Sequence, residues 1–494
     1  MEPCEYKQVN ADDIPDDGND SLSTDDDKSW RPFLRQLLVS SGTWNVYFIC
    51  GLYMSAPTVY LPQLRKETNG TVITDEMASW ISSGCSYGAL PWVFVHSAAL
   101  TLFGRKYTSA VTYLYITIIS IVFYCSNTPN QLLIFQISLG VPYSAALTVS
   151  ITILAEYASP SFRGISLSMK AATLYWGIWV SNAIGTFFHW KYISVFGFVC
   201  SLYNLTVFLW PESPLWLVSK GRFEECKKCH RWLKGSGRTA ERELQNLIKS
   251  YSAVDASNQK RNGNVVTSFF RTLVSKDFYR PMLICFLSIT MYNLSGKIVC
   301  SIYAIEILKK ICDSESTAYI AMLLLDGVTV FSMYFGCYLV KILKRRTLLF
   351  WASAIAIVFL FSLSIYLYLI KLTIINENKI MSIFLLIGFS LSVSCGPVIM
   401  SVSLYGELIP MKYKQESIII ISLFFIFLQS SLLKFAPLIF KYFKMHGMFV
   451  FFGVSMSICW LFLYKYLPET KDKTLQEIED YFKYEKRRKL ILLR

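Results

Sequence analysis

From Thr347 to Ile370 the chain reads TLLFWASAIAIVFLFSLSIYLYLI, a run without a single acidic or basic residue. Lys344, Arg345 and Arg346 precede it and Lys371 follows. A helix needs about 20 mostly apolar residues to cross a bilayer's hydrocarbon. This run is therefore read as one membrane crossing, with its charges held at the two water boundaries.

The same search for charge-free stretches, carried outward, finds eleven more. Gln36–Leu64 is expected as helix 1 and Met77–Gly104 as helix 2. Tyr107–Ala155 is long enough for helices 3 and 4, with Asn127-Thr128-Pro129-Asn130 supplying the turn between them. Ala171–Trp190 and Tyr192–Pro211 are helices 5 and 6. Helix 7 starts at Pro281, helix 8 spans about Thr317–Val340, and Thr347–Ile370 is helix 9. Helix 10 is Ile380–Gly406, helix 11 starts near Ser417 and helix 12 ends near Tyr464. The fold class is an all-α membrane protein of twelve helices, split six and six.

Composition agrees. Of 494 residues, 53% are hydrophobic and 17% charged, and the mean hydropathy is +0.40. Such an excess of apolar residues does not fit inside soluble cores, which excludes a soluble enzyme and a disordered chain. The net charge of +14 sits between the apolar runs, so it reports topology and not nucleic-acid binding. Thirteen cysteines are scattered, many within apolar runs, and form no disulfide framework.

One side collects the bases: Arg105 and Lys106, Arg163, Lys341, Lys344–Arg346, Lys412 and Lys414. The Glu212–Arg280 loop adds fourteen Lys/Arg against seven Asp/Glu. That side is expected to be cytoplasmic, with both termini on it, in a multi-pass protein of the plasma membrane. The sequon Asn69-Gly70-Thr71 then faces outward and is a glycosylation candidate. Residues 1–28 are acidic and lack an apolar core, so no cleavable leader is expected there. The domain reading is a disordered acidic tail (1–35), a six-helix bundle (36–211), a loop with short helices (212–280), a second bundle (281–466) and a basic tail (467–494). In that tail Thr474–Arg488 has the pattern of an amphipathic helix, and Lys486–Lys489 suits anionic lipid.

Charged landmarks recur between the halves. Arg105-Lys106 and Arg345-Arg346 are 240 residues apart. Glu156 with Arg163 and Glu407 with Lys414 are both offset by 251, and Glu212 and Glu469 by 257. Charges gather at helix ends in any membrane protein, but matched spacing points to two repeats. Arg105, Glu156, Arg163 and Glu212, with Arg345, Arg346, Glu407, Lys414 and Glu469, form a candidate gate. Partly solvated pairs of about 1 kcal/mol each make and break readily.

These motifs carry a resemblance. Ser79-Trp80-Ile81-Ser82-Ser83, Gly104-Arg105-Lys106, Arg163-Gly164 and Pro211-Glu212-Ser213-Pro214-Leu215-Trp216-Leu217 lie in the first half. Leu294-Ser295-Gly296, Gly406-Glu407-Leu408-Ile409-Pro410 and Pro468-Glu469-Thr470-Lys471 lie in the second. With them the chain resembles the sugar porters of the major facilitator superfamily, most of all the insect facilitated trehalose transporters. The resemblance implies two six-helix bundles around a midplane cavity, and uniport of a sugar by rocking of the bundles. It implies no enzymatic role, cofactor or metal, and a monomer whose partners are a small solute and the bilayer. The family's usual sugar contacts are replaced, however. The helix 5 Gln position is Ala171, preceded by Lys170; the helix 7 Gln-Gln pair is Tyr292-Asn293 and its Asn is Ile298; the Trp positions are Val402 and Ile426. The acidic residue before Gly104 is missing, and Lys344 replaces the second motif's Gly.

Candidate substrate contacts are Lys170, Trp176, Tyr292, Asn293, Lys297 and Thr329, which offer amides, hydroxyls, rings and cations at membrane depth. Taken singly, Trp176, Tyr292, Asn293 and Thr329 read more readily as helix packing, since such residues are common in membrane helices. Lys297 lies 17 residues from Arg280 and Asp326 lies 15 from Lys341, so the two are expected at one depth and as an ion pair. Lys170 and Lys434 are also read as snorkelling. Helices 1 to 3 contain no carboxylate, which favours movement without proton coupling. Cys226-Lys-Lys-Cys-His230 spells a haem-attachment pattern, but it sits in a helical loop segment and is read as solvated helix. The alternatives to sugar transport are an anionic or glycosidic solute on the same scaffold, or a sensor that binds without transporting.

Overall fold

The computed structural model describes residues 30–67, 73–258, 276–309, 314–376, 378–408, 414–469 and 471. The fold is the expected one: twelve membrane helices in two halves of six. Helix 1 is Arg31–Glu67, helix 2 Asp75–Leu102, helix 3 Arg105–Cys125, helix 4 Pro129–Tyr157, helix 5 Pro160–Phe187 and helix 6 Lys191–Leu209. Helix 7 begins at Lys276, helix 8 is Glu315–Ile342, helix 9 Arg345–Lys371 and helix 10 starts at Lys379 and ends at Leu408. Lys414–Tyr466 holds helices 11 and 12, which turn at Lys444 (φ 56°). Asn69 and the 472–494 tail lie outside the described residues.

Local chemistry sets the ends. Thr74 accepts the N–H of Met77, and Asp75 and Glu76 occupy the electropositive first turn of helix 2. Thr128 and Gln131 form a reciprocal capping box with Pro129 just inside helix 4, so the expected turn is also a helix start. Helix 5 starts eleven residues before the expected Ala171, because Lys170 interrupts the charge-free run without interrupting the helix.

Three helices are broken at membrane depth. Helix 7 loosens at 294–296, where Gly296 takes φ 77°, and resumes as Lys297–Ile302. Helix 4 carries a π-turn at Ala146–Ser150 and helix 10 one at Ser394–Val398. The two π-turns sit at corresponding places in the two halves. A π-turn widens the helix by one residue and is common at functional sites.

Within the first half, helices 1 and 5 pack backbone to backbone. A Cβ at Gly51 would stand 2.0 Å from the Leu174 carbonyl oxygen, and one at Gly177 equally close to that of Phe48. Small residues permit this approach, which is how helices associate where lipid is as apolar as leucine. The halves meet through helix 2 against helix 11 and helix 5 against helix 8. Phe331, Phe335, Trp351 and Val358 remain on the outside, as side chains bathed in lipid do.

Pro214–Ser219, Phe223–Lys234 and Arg238–Asn258 form a small helical bundle at the face carrying Arg105 and Arg345, here called the basic face. Trp216, Leu217, Val218, Cys226 and Leu244 make its core. Arg35 donates to the Trp232 carbonyl (2.7 Å) and Gln36 to that of Leu233 (3.3 Å), docking the bundle on helix 1. Cys226 and His230 point into this packing, and no metal-ligating cluster occurs among the described residues. Burial pushes the His230 imidazole down to about 4, with the Lys234 ammonium acting in the same direction.

Candidate functional site

The first four N–H groups of a helix have no intrahelical partner. At the start of helix 3 the Glu212 carboxylate accepts from the backbone of Arg105 (2.9 Å) and Lys106 (3.1 Å), and from Ser213 (2.8 Å). At the start of helix 9 Glu469 accepts from Arg345 and Arg346, both at 3.2 Å, and from Lys471 at 3.0 Å. The repeated Pro-Glu motif is thus a repeated helix cap: a carboxylate from the end of each half's sixth helix closes the start of its third. Burial raises the Glu212 carboxyl, opposed by these N–H groups and the Arg105 charge.

Arg105 also grips Glu156 through Nε (2.8 Å) and Nη2 (2.6 Å), and Ser213 donates to the same carboxylate at 2.6 Å. Only 15% of the Arg105 side chain and 7% of Glu156 are exposed, so this pair is more desolvated than the surface bridge expected of it. All these contacts stay within one half. The side chains of Arg163, Glu407 and Lys414 lie outside the described residues.

Between the halves, the hydrogen bonds of the described residues lie at the midplane or toward the opposite face. Tyr143 donates to Gln429 (2.6 Å), Tyr175 meets Tyr292 (3.2 Å) and Asn182 donates to Asp326 (2.7 Å). Farther out, Thr58 donates to the Ile302 carbonyl (2.7 Å) and Lys66 pairs with Glu315 (2.8 Å). Lys434 donates to Ser79 (2.9 Å) and stands 3.7 Å from the Trp80 ring centre, so it is a latch between halves, not a snorkelling cation.

On the basic side of the midplane contacts lies a cavity of about 750 Å³, counted to its open side. It takes walls from both halves: Tyr47, Tyr143, Lys170 and Tyr175 from the first, Tyr292, Ser422 and Phe425 from the second. Leu147, the second residue of one π-turn, and Val398, the last residue of the other, both line it. Of the predicted contacts, Lys170 and Tyr292 are brought here together.

The others are placed elsewhere. Lys297 donates to Thr329 and Ser390, each at 2.6 Å, and stands 5.8 Å from the Tyr175 ring centre, one layer behind the cavity wall. The expected Lys297–Asp326 ion pair is not made: hydroxyls satisfy the ammonium, and Asn182 of the other half takes the carboxylate. Asn293 donates to the Ile289 carbonyl of its own helix (3.0 Å), as the loosening of helix 7 begins. Trp176 is 43% exposed and packs edge-on against Tyr334, away from the cavity.

Residues 40–482 match the family described as Sugar (and other) transporter. The chain belongs to this family. Among its relatives, the facilitated trehalose transporter Tret1 of Bombyx mori is 26% identical over 458 residues, covering 91% of this chain and 86% of that one. The Tret1-2 homolog of Drosophila sechellia is 24% identical, covering 87% and 88%. Against Tret1 of Drosophila willistoni, at 25% identity, the chain spans about half (51%) of the relative's length. Among solved structures, the proton:xylose symporter XylE bound to 6-bromo-6-deoxy-D-glucose superposes with a TM-score of 0.74 at 16% identity, covering 91% of this chain and 99% of that one. An inward-open XylE from E. coli gives 0.69 at 15%, with the same coverage.

For this transporter-family chain, two cavity residues, Tyr175 and Ser422, and Gln429, which holds the cavity residue Tyr143, escaped the sequence reading although helical spacing points to them. Tyr175 is four residues after Ala171, and Ser422 is four before Ile426 with Gln429 three after it. One turn either way from the replaced family positions would have found all three. Tyr47 and Tyr143 have no such marker.

Proposed function

We propose that this chain is a facilitative sugar transporter of the plasma membrane, a uniporter working by alternating access, with trehalose or a hexose as the first solutes to test. One observation carries the reading: the cavity lies on the seam between two six-helix halves and takes walls from both, so rocking of the halves would expose it to either side. By the distribution of bases the basic face is cytoplasmic, with both termini on it and Asn69 outside. Contacts such as Thr58–Ile302, Lys66–Glu315 and Lys434–Trp80 then close the outer side in the arrangement described here.

Opening outward would break those contacts and bring the two basic-face clusters together, with Arg163, Glu407 and Lys414 joining the gate. The capped helix starts would move as rigid parts, because Glu212 and Glu469 tie each cluster within its own half. The absence of a carboxylate from the spans of helices 1 to 3 supports uniport over proton coupling. Lys170 and Tyr292 would face the solute directly, and Lys297 and Thr329 would support the wall.

The test is uptake of labelled trehalose, glucose, an anionic sugar and a glucoside in a transport-deficient cell, with and without a proton gradient. Saturable, gradient-independent uptake of a sugar is the expected result. Surface-localised protein that moves none of the panel would overturn it in favour of a solute sensor.

A further inference from the structure

We infer that the solute of this cavity is an anionic sugar conjugate, a carboxylate-bearing glycoside with an apolar or aromatic body, and that Lys170 meets its charge. The inference rests on the reading of the cavity as the transport site.

Lys170 lines the cavity and is 3% exposed. Among the described residues its ammonium has no hydrogen-bond acceptor and no carboxylate within 4.0 Å; it stands 5.5 Å from the centre of the Tyr47 ring. The other buried or half-buried lysines of the spans are satisfied: Lys297 by two hydroxyls, Lys434 by Ser79 and Trp80. A buried cation without a counter-charge is costly, and a ligand anion removes the cost.

Most of the remaining polar groups already have a partner. The Tyr47 hydroxyl donates to the Ala146 carbonyl and that of Tyr143 to Gln429. Tyr175 and Tyr292 share a single hydrogen bond, which leaves one of their two O–H donors over, and Ser401 donates to the Val398 carbonyl. That leaves the Lys170 ammonium and the Ser422 hydroxyl without an intramolecular partner among the described residues. The rest of the wall is apolar, Leu147, Ile151, Leu174, Ile289 and Phe425 among it.

A small neutral sugar gives up water at every hydroxyl on entering. These walls return few of those hydrogen bonds, and a site discriminates strongly against polar groups it leaves unpaired. A solute with one carboxylate and an aromatic body fits better on both counts: the charge meets Lys170, and the ring packs on Tyr and Phe faces.

The test compares 4-nitrophenyl β-D-glucuronide with 4-nitrophenyl β-D-glucoside, which differ in a carboxylate against a hydroxymethyl group. Binding is measured by titration calorimetry on the purified full chain in lipid nanodiscs. The glucuronide is expected to bind at least about tenfold more tightly. Lys170→Met should remove that preference, so that the two glycosides bind alike, and Lys170→Arg should keep most of it. Equal affinities for the two glycosides on the native chain, or a preference that survives Lys170→Met, would overturn the inference. The native-chain comparison stands even where a variant fails to fold. Uptake separates the two readings. Trehalose or hexose uptake indifferent to the glucuronide and to Lys170→Met overturns the anion and keeps the sugar carrier. Binding of 4-nitrobenzoate as tight as that of the glucuronide, with no sugar or glycoside uptake, keeps the charge contact at Lys170 and overturns the sugar carrier.

Discussion

At the start of helix 3, Glu212 reaches its backbone partners at 2.8–3.1 Å, and the residue before the helix is Gly104 with φ 91°. At the start of helix 9, Glu469 reaches its partners at 3.0–3.2 Å, and the residue before the helix is Lys344 in an ordinary extended conformation (φ −65°, ψ 136°). The chemistry is the same, a carboxylate on unpaired N–H groups at an electropositive helix end. The route is not. Where the carboxylate comes closest, a Cβ at Gly104 would stand 2.5 Å from Glu212 Oε2, so only glycine serves. Where it stands farther off, the second half dispenses with glycine. The missing Gly of the second motif is therefore not a lost function: the acceptor is what the repeat preserves.

The sharpest way to break this comparison is to strand the first half's buried arginine. Glu156→Ala removes the acceptor of both Arg105 and Ser213 and should cost roughly 3–5 kcal/mol, read as a fall in the melting temperature of the purified protein. Arg105→Met combined with Glu156→Leu should cost clearly less than the single change, since no charge is left unpaired. A single-variant loss near that of an exposed pair would show that the first half is not the more tightly stitched.

Next comes the glycine. Gly104→Ala should destabilise by about 1–3 kcal/mol through its positive φ and the approach of Glu212. Lys344→Gly should change stability by less than about 1 kcal/mol, because no side chain is needed or excluded there. Similar losses at both sites would erase the distinction.

The caps themselves give a smaller contrast. Glu212→Ala and Glu469→Ala should each cost about 1–3 kcal/mol, with Glu212 the larger. Urea or thermal unfolding of the two variants side by side decides the order.

The smallest expected effect concerns the helical bundle under the first half. His230 has its folded-state pKa lowered to about 4 by burial, against 6.5 for the free side chain. Between those values the unfolded bundle binds a proton that the folded one refuses, so its stability is present above pH 6.5 and declines as pH falls toward 4. His230→Gln should flatten that decline, measured by proteolysis of the Glu212–Asn258 region across the pH range.

What the sequence determined alone is everything that depends on one helix at a time. Charge-free length decides a crossing, and Thr128 with Gln131 decides a helix start; each is a local balance of desolvation and hydrogen bonding. The matched offsets of Glu212 and Glu469 even made the repeat legible, although their role as caps was not, because an acceptor's partner lies 107 residues away for Glu212 and 124 for Glu469. The site was legible only in part. Lys170 and Tyr292, singled out by counting from family motifs, line the cavity, whereas Trp176 faces away from it and Lys297 is spent on hydroxyls. Only the tertiary structure could decide which buried polar group keeps an unused bond. That depends on which side chains of other helices reach it first, as Asn182 reaches Asp326 from across the seam while the Lys170 ammonium meets only the Tyr47 ring and no acceptor among the described residues.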